Sequence, residues 1–478
     1  MAHKAKLAII GAGTAGLTAL KEARRHTDDV ILINDGPYGT TCARVGCMPS
    51  KALLAAAHGY HRRGFLAEAG IRGTEGLSAD IPAVMEHVRE LRDRFVAGPT
   101  RLARSLGERS LRGRTRFLGA NTLAVGNERV EADAIVIATG SRPVMPAPWR
   151  DLGHRVLTTD DFFEQTDLGH RVAVVGLGAI GAELGQGLGQ LGLEVHGYTR
   201  SVFVGGLSDP AVNEALIAGL KRSMSVTTGA DVALEAGDGD TVRVLANGDS
   251  REVDWVLAAL GRRPNIDGLG LEALDVPLDD HGMPQFDPLT LRLGELPVYI
   301  AGDVNAAQPL MHEAADEGRI AAYHALNPDA GCVGRRTPLA IVFSEPQAAR
   351  VGLGYAQLPA ERFVTGDADF SGQGRAVMMG RNAGRLRVYA DRHDGRLLGA
   401  EMAIPDGEHV AHLLAWAVEQ RLSVDDALQM PFYHPVIEEG VRSALHAARR
   451  NIETARPALE LPLCDTPAAW ALGGEDPA

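Results

Sequence analysis

A glycine pattern, GxGxxG, occurs twice in this sequence, both times between an apolar run and a helix-forming stretch. The first copy, Gly11–Gly16, follows the apolar run Lys6–Ile10. The second copy, Gly176–Gly181, follows Arg171–Val175 and lies 165 residues later. A further apolar run comes after each helical stretch, so each copy reads as strand, glycine turn, helix and strand. The chain is therefore predicted to contain two βαβ units of dinucleotide-binding type.

The rest of the sequence predicts how these units are arranged along the chain. At about 150 residues per domain, 478 residues give room for three domains. Three prolines between 143 and 148 mark a crossover, and from Arg335 short strand-like runs precede helices, as in an α+β domain. The predicted fold is α/β, with two Rossmann-like dinucleotide-binding domains and a C-terminal α+β domain. The predicted boundaries are 1–150 and 270–334 for the first domain, 151–269 for the second, 335–455 for the third and 456–478 for a tail.

Composition excludes several classes of protein. The formal net charge is −13, which disfavours nucleic acid and anionic membranes as partners. Four cysteines are too few for a disulfide-stapled secreted scaffold, and no apolar run approaches the 18 residues of a membrane span. We therefore expect a cytoplasmic protein with a small-molecule substrate, and with neither nucleic acid nor a membrane as a partner.

Each glycine turn predicts a phosphate site. The glycines allow a tight turn and close approach of a pyrophosphate, and the helix that follows offers free N–H groups and a positive dipole end. The alternative is a turn with a purely structural role. The setting of each copy, after a strand and before a helix, favours the binding site.

The residue at the end of the second strand indicates which nucleotide each unit binds. An acidic residue there holds the ribose hydroxyls of a dinucleotide. The first unit has Asn34, followed by Asp35, so a hydrogen bond to ribose remains possible without the charge. The second unit has Thr199, followed by Arg200, and a guanidinium favours a 2′-phosphate. This pattern predicts use of NADPH at least as good as use of NADH.

Two cysteines with four residues between them form the most specific local feature. Cys42 and Cys47 follow the first βαβ unit, and Pro49 marks the start of a predicted helix. A helix N-terminus lowers the pKa of a thiol and activates it. Spacing alone leaves open two buried free cysteines or half of a metal site, although Cys332 and Cys464 offer no second pair for zinc.

At this point the residues carry a resemblance to a known family. The run from Gly39 through Cys42 and Cys47 to Lys51 resembles the active-site signature of FAD-dependent pyridine nucleotide–disulfide oxidoreductases, most of all dihydrolipoyl dehydrogenases. The resemblance extends to about Arg450 and includes further motifs in the family's order. These are the two glycine turns, Ala138–Pro143, Gly261–Asn265, Ala301-Gly302-Asp303 and Tyr433-His434-Pro435 with Glu439.

The resemblance implies a role for each part of the site. The first unit would bind FAD and the second NAD or NADP. Cys42 would be the thiol that attacks substrate, and Cys47 would face the flavin and form the charge-transfer thiolate. His434, with Glu439, would act as acid and base from the partner subunit of a homodimer, since thiol–disulfide exchange needs both functions. The third domain would then be the dimerisation domain.

The predicted cofactor-binding residues combine those derived from the two βαβ units with those that the resemblance implies, and no metal site is predicted. Asp303 would hold the ribityl chain of the flavin, and Lys51, paired with Glu183, would lie near the flavin ring. The full set is Gly11, Gly13, Gly16, Asn34, Asp35, Thr41, Lys51, Thr139, Gly140, Gly176, Gly178, Gly181, Glu183, Thr199, Arg200, Gly261 and Asp303.

Some positions depart from the family's pattern and leave the substrate open. Arg44 stands between the two cysteines where the family usually has Asn, and Val436 and Ile437 replace a Thr-Leu pair. The predicted activity is electron transfer between NAD(P)H and a dithiol/disulfide, like that of dihydrolipoyl dehydrogenase. The alternatives are an NADPH-dependent reductase of another small disulfide, a pyridine nucleotide transhydrogenase, which would not need both cysteines, and a flavin-binding electron carrier.

Overall fold

The computed structural model describes residues 2–454, 460 and 461. Most of the predicted tail, Cys464 included, lies outside the described residues. The helices of the described chain are α1 (Thr14–Ala23), α2 (Thr41–Val45), α3 (Cys47–His61), α4 (Arg63–Glu68), α5 (Ile81–Arg104), α6 (Ala147–Arg150), α7 (Thr159–Phe162), α8 (Ala179–Gln190), α9 (Pro210–Leu220), α10 (Met311–Leu326), α11 (Gly374–Met378), α12 (Gly407–Glu419), α13 (Val424–Leu428) and α14 (Glu439–Arg449).

The strands of the first half of the chain are β1 (Ala2–Ile10), β2 (Val30–Asn34), β3 (Ser110–Arg112), β4 (Thr115–Gly119), β5 (Thr122–Val125), β6 (Glu128–Ile137), β7 (Ser141–Pro143), β8 (Val156–Leu157), β9 (Arg171–Val175), β10 (Glu194–Thr199) and β11 (Ser225–Thr228). Those of the second half are β12 (Val232–Ala236), β13 (Val242–Ala246), β14 (Asp249–Val253), β15 (Trp255–Ala258), β16 (Arg262–Pro264), β17 (Val298–Ile300), β18 (Leu339–Val342), β19 (Gln347–Gly352), β20 (Phe363–Asp369), β21 (Arg385–Asp391) and β22 (Leu397–Ile404).

The described chain forms two compact units. The first contains residues 2–176, 190–194 and 232–335, and the second contains 177–189, 195–231 and the residues from 336 onward. In the first unit a seven-stranded sheet has the order β3-β2-β1-β6-β5-β4, and β17 also pairs with β6. The strands β3, β2, β1, β6 and β17 are parallel, whereas β4 and β5 join antiparallel.

The parallel strands of this sheet are apolar on both faces because each face is covered. Leu7 and Ile9 of β1 pack into one core together with Leu20 of α1 and Ile320 of α10. Ile10, on the opposite face of the same strand, packs into a second core with residues of β5, β6 and β17. Burial on both faces explains the continuous apolar runs of the sequence, which contrast with the alternation expected of a half-exposed strand.

The first unit contains three further groups of strands. β9 and β8 each pair in parallel with β15, β12 to β14 form an antiparallel meander, and β16 pairs antiparallel with β7. The sequence does not predict the meander, because β12 and β14 are mostly exposed and only β13 alternates in burial. In the second unit, β10 pairs in parallel with β11.

The second unit also contains a five-stranded antiparallel sheet in the order β18-β19-β22-β21-β20, with the helices α12, α13 and α14 contributing to its core. The predicted α/β class with a C-terminal α+β part is confirmed. Among the described residues, no helix combines the length and the apolar character needed to cross a membrane.

Two buried carboxylates in the second unit hold the loop before α9. Asp209 is fully buried, caps α9 by accepting from the Ala211 N–H at 2.9 Å, and forms an ion pair with Arg387 at 3.2 Å. Glu401 is also fully buried, and its oxygens accept from the backbone N–H groups of Ser208 at 2.7 Å and Asp209 at 2.9 Å. Because buried charges are costly without partners, this dense bonding fixes residues 208–209.

Candidate active site

The first glycine turn connects β1 to α1 in a conformation that only glycine allows. Gly11 has φ of +111°, and a Cβ there would lie 2.2 Å from the carbonyl oxygen of Ala138. A Cβ at Gly16 would lie 1.9 Å from the carbonyl oxygen of Gly11. At Gly13, by contrast, a Cβ would meet no described atom within 4 Å. Two of the three glycines thus shape the turn, and the third leaves space beside it.

Asn34, at the end of β2, is bonded into this turn. Its Oδ1 accepts from the Ala12 N–H at 3.1 Å, and its Nδ2 donates to the Gly36 carbonyl at 2.6 Å. Asp35, beside it, is exposed. Asn34 therefore stabilises the turn itself, which is a role that the sequence analysis did not predict.

The predicted motifs around Thr139 and Gly261 come together as the pair β7 and β16. Thr139 Oγ1 donates to the Asn265 carbonyl at 2.8 Å, and Asn265 Nδ2 donates back to the Thr139 carbonyl at 3.0 Å. Gly140 and Gly261 both have positive φ, at 69° and 95°. Two segments more than a hundred residues apart are thereby joined next to the first glycine turn.

Asp303, at the end of β17, belongs to a polar cluster with this pair of strands. Ser141 Oγ donates to Asp303 Oδ2 at 2.6 Å, and Arg262 Nε donates to Ser141 Oγ at 2.8 Å. The Gly302 N–H donates to Glu317 Oε2 at 2.7 Å. Glu317 is 1% exposed, and burial raises its pKa, while its bonds to Gly302 and to Arg335 oppose that shift. The position of Asp303 is therefore fixed from both sides.

The two cysteines lie on consecutive helices. Cys42 is on α2 and Cys47 is the first residue of α3, and both are free thiols. Thr40 starts α2 with φ of 63°, and its hydroxyl accepts from the Ala43 N–H at 3.1 Å. A Cβ at Gly46 would lie 3.2 Å from Cys42 Cα, so glycine at this position permits the close approach of the two helices.

The two thiols interact directly. A hydrogen bond to the Cys47 side chain, burial and the negative charge of Cys47 raise the pKa of Cys42, while a backbone hydrogen bond from Cys47 and the charge of Lys51 act in the opposite direction. The hydrogen bond to Cys47 and burial thus oppose ionisation of the Cys42 thiol. Ionising Cys42 for attack on a substrate requires a base.

The predicted acid–base pair is formed in the second unit. His434 Nδ1 lies 2.9 Å from Glu439 Oε1, and the second oxygen of Glu439 accepts from the Val436 N–H at 3.2 Å. The His434 side chain is 80% exposed. The hydrogen bond from His434 lowers the pKa of Glu439, so the carboxylate stays ionised and orients the imidazole. The other ring nitrogen of His434, Nε2, lies on the side of the ring away from Glu439.

The second glycine turn repeats the geometry of the first. Gly176 has φ of +96°, and a Cβ there would lie 2.2 Å from the carbonyl oxygen of Ala259. At Gly178 a Cβ would meet nothing within 4 Å among the described atoms. Gly181 is buried in α8. The same close approach of the turn to a neighbouring strand end therefore occurs in both βαβ units.

At the end of β10, the structure adds an ion-pair partner for Arg200 that the sequence does not predict. Thr199 is buried, and Arg200 donates from Nε to Asp231 Oδ1 at 2.6 Å, with both side chains more than 80% exposed. The sequence analysis did not single out Asp231, because it lies 31 residues further along the chain. The prediction of good NADPH use stays a prediction, and Asp231 offsets the positive charge on which it depends.

Three other predicted residues are placed as follows. Glu183, on α8, is buried and accepts from the Phe343 N–H at 2.9 Å. Lys51 lies on α3 in the first unit, and Thr41 is the exposed first residue of α2. The pairing of Lys51 with Glu183 stays a prediction, since they belong to different units.

The first βαβ unit fits a dinucleotide such as FAD. Helix α1 has no acidic residue in its first turn, and its N-cap, Gly13, supplies no side-chain acceptor to the first N–H groups. These groups, and the space beside Gly13, suit a pyrophosphate. In the described part of the chain, no group of three or more His, Cys, Asp and Glu side chains could hold a metal ion.

Sequence reasoning missed several residues of the site. Ser141 and Arg262 lie inside motifs that were recognised, so the motifs themselves could have signalled them. Glu317 and Asp231 carry no local signal, because only the packing of α10 and the register of β10 with β11 give them a role.

Models of two domain families match the chain. The model described as "Pyridine nucleotide-disulphide oxidoreductase" matches residues 5–318, and that of the dimerisation domain of the same family matches residues 339–445. The dihydrolipoyl dehydrogenase of Haloferax volcanii is 31% identical over 464 residues, covering 93% of this chain and 96% of that protein. That of Geobacillus stearothermophilus is 28% identical over 456 residues, covering 92% and 95%.

Solved structures share the fold. The HOCl-induced flavoprotein disulfide reductase RclA of Escherichia coli, solved as a Cu(II) complex, superposes with a TM-score of 0.81 at 21% identity, covering 93% of this chain and 99% of that one. LpdA of Mycobacterium tuberculosis superposes with a TM-score of 0.79 at 26% identity, covering 94% and 99%.

Proposed function

The chain belongs to the pyridine nucleotide–disulphide oxidoreductases, and from this premise we propose that it transfers electrons between NAD(H) and a dithiol/disulfide substrate through FAD and Cys42–Cys47. The observation that carries the proposal is the hydrogen-bonded thiol pair at the junction of α2 and α3. Two thiols in contact can close to a disulfide and open again, which moves two electrons.

The proposed chemistry gives the two thiols the roles that the resemblance to the family implies. Cys42, once deprotonated, attacks one sulfur of a substrate disulfide, forms a mixed disulfide, and releases the other sulfur as a thiolate. Cys47, as its thiolate, then attacks Cys42 Sγ, expels the second substrate thiolate, and closes the Cys42–Cys47 disulfide. The substrate gains two electrons and two protons, and the cysteine pair is oxidised. In the opposite direction, a dithiol substrate reduces the pair.

The proton transfers are assigned to His434. Its exposed imidazole, held by the ionised Glu439, suits a base that removes the Cys42 proton and an acid that returns a proton to the leaving thiolate. We propose that this dyad serves the cysteines of a second copy of the chain. The match to the family's dimerisation domain over residues 339–445 supports a homodimer.

The dihydrolipoyl dehydrogenase-like family uses FAD and NAD(H). FAD, when bound, would pass electrons between the nicotinamide and the cysteine pair. The residues proposed to hold it are the Gly11–Gly16 turn, Asn34, Thr139, Gly140 and Asp303, with Lys51 near its ring. The second turn, with Gly176, Gly178, Gly181, Thr199 and Arg200, is proposed to bind the nicotinamide nucleotide. These assignments rest on the geometry of each turn and on the fixed position of Asp303.

The proposed substrate class is a lipoyl-type or other small disulfide. A transhydrogenase would leave the hydrogen-bonded thiol pair without a use, so the pair favours disulfide chemistry. NADPH-dependent reduction of another low-molecular-weight disulfide remains the second candidate, and the observation in its favour is Arg200 at the end of β10.

The first experiment compares two cysteine variants. Cys47→Ser should abolish lipoamide reduction by NADH while flavin absorbance shows FAD still bound, because the residues proposed to hold FAD, chiefly the Gly11–Gly16 turn and Asp303, are unchanged. The matched control is Cys332→Ser, which alters an exposed cysteine and should keep the parent rate. Unchanged lipoamide reduction by the Cys47→Ser enzyme would contradict the proposed mechanism.

The second experiment tests whether the site is shared between subunits. Cys42→Ser and His434→Ala chains should each be inactive as homodimers. Co-expressed with different affinity tags and purified as heterodimers, they should recover up to half of the parent activity, since one of two sites is intact. Heterodimers without activity would show that His434 does not serve the cysteines of a partner chain.

A further inference from the structure

The end of β10 carries an ion pair that changes the charge offered to a nucleotide. Arg200 Nε donates to Asp231 Oδ1 at 2.6 Å, and the two side chains are 86% and 82% exposed. Asp231 follows β11, whereas Arg200 follows β10. The carboxylate that is missing from the strand end in the sequence is therefore supplied from the neighbouring strand.

The backbone holds these two strand ends together. β10 pairs with β11 so that Thr199 lies opposite Thr228, and beyond this register the Ala230 N–H donates to the Thr199 carbonyl at 3.0 Å. The Gly229 N–H also approaches the Ser201 carbonyl, at 3.4 Å. Because the main chain sets the separation, the proximity of Arg200 and Asp231 does not depend on the attraction between two exposed side chains, which is weak by itself.

The charges have opposite effects on the two nicotinamide nucleotides. The end of this strand is where the adenosine ribose lies in a βαβ nucleotide unit. Arg200 alone would attract a 2′-phosphate, and no other Lys or Arg occurs in residues 201–210. Asp231 compensates that charge, would repel a 2′-phosphate and can accept a hydrogen bond from a ribose hydroxyl.

We propose that Asp231 is a specificity-determining residue for the nicotinamide nucleotide. It acts by compensating the charge of Arg200, with which it forms an ion pair. With the pair intact the site accepts NADH, and removal of the Asp231 charge turns it toward NADPH. This inference rests on the proposed function, since it takes the second glycine turn as the nicotinamide site.

Binding of two redox-inactive nucleotides tests the inference without catalysis. Adenosine 2′,5′-bisphosphate carries the 2′-phosphate and AMP does not, and calorimetry on the holoenzyme gives both affinities. We expect the parent to bind AMP at least as tightly. Asp231→Asn should tighten binding of the bisphosphate about tenfold relative to AMP, and adding Arg200→Ala should abolish this gain. The matched control, Asp238→Asn, alters an aspartate that is 94% exposed and should leave the ratio unchanged.

Steady-state kcat/KM for NADH and NADPH gives a second readout, and its ratio should shift in the same direction. A bisphosphate-to-AMP ratio that Asp231→Asn leaves unchanged, or a parent that already prefers the bisphosphate, would overturn the inference while leaving the disulfide chemistry intact. A parent that binds neither nucleotide would overturn both the inference and the assignment of the nicotinamide site. Failure of the Cys47→Ser experiment, by contrast, concerns the disulfide chemistry alone.

Discussion

The two glycine turns are nearly the same device in two different settings. Gly11 and Gly176 both have positive φ, and a Cβ on either would lie 2.2 Å from a carbonyl oxygen at the end of a neighbouring strand. The second glycine of each turn, Gly13 or Gly178, has space for a Cβ among the described atoms. The turns therefore have the same geometry, which by itself does not distinguish the two nucleotides proposed to bind them.

The difference lies at the end of the second strand of each unit. Asn34 is bonded on both sides, to Ala12 and Gly36, so it forms part of the scaffold. In the second unit, Arg200 and Asp231 form an exposed ion pair. A fixed amide suits a cofactor that stays bound, whereas an exposed ion pair can select between nucleotides that bind and leave. The proposed selectivity between nucleotides therefore lies at a pair of side chains that the fold does not require.

The largest expected effect is at the glycines that shape the two turns. Gly11→Ala and Gly176→Ala both force a Cβ against a backbone oxygen in a conformation that alanine rarely adopts, so each should cost more than about 4 kcal/mol of stability or prevent folding. Chemical unfolding and the yield of folded protein measure this loss. Two stable variants would show that the turns are not tightly held.

Substitution of the glycines that leave space should affect the two βαβ units differently. Gly13→Ala should fold and weaken FAD binding about tenfold or more, because its methyl group fills the space proposed for the pyrophosphate. Gly178→Ala should keep FAD and raise KM for the nicotinamide nucleotide by a similar factor. Flavin content after gel filtration and steady-state kinetics are the measurements. Loss of FAD from both variants, or from neither, would contradict the assignment of the turns.

The loop after β10 leads from the Arg200 site to residues 208–209, which Glu401 holds. Its stability can therefore be tested separately from the nucleotide site. Glu401→Gln replaces one carboxylate oxygen by an NH2 group, so the backbone N–H groups on that side, those of Ser208 and Asp209 or that of Tyr355, lose their acceptor, and we expect a loss of about 1–3 kcal/mol in the free energy of unfolding. Glu361→Gln, at an exposed position, is the matched control and should stay within about 0.5 kcal/mol. Equal stability of the two variants would show that Glu401 does not anchor this loop.

The smallest expected effect is at Asn34. Asn34→Ala removes the bond to the Ala12 N–H and should weaken FAD binding by about 0.5–1.5 kcal/mol, roughly three- to tenfold. Asp35→Ala, at the exposed neighbouring residue, should have no measurable effect on FAD affinity. FAD titration of the apoprotein compares them, and a larger loss from Asp35→Ala would exchange the roles of the two residues.

Local pattern alone predicted the glycine turns, the strands before them and a helix start at Pro49, two residues after the observed start of α3 at Cys47. Arg171–Val175 is a strand with the predicted ends. These features succeed because they depend on neighbours in sequence: burial on both faces makes a strand continuously apolar, and a tight turn requires glycine.

Tertiary structure decided the contacts between distant residues. Ser141 bonds Asp303 across 162 residues, and Asp231 reaches Arg200 across 31. Ser141 and Asp303 each lie in a recognised motif, but neither contact can be predicted from local pattern, because strand register and the order of strands in a sheet bring such residues together. The sequence by itself therefore determined which chemistry the chain carries, in its cysteines, its dyad and its glycine turns. Only the folded backbone determined which charged groups face each other at the ends of the strands, since those distances follow from pairing between separate segments.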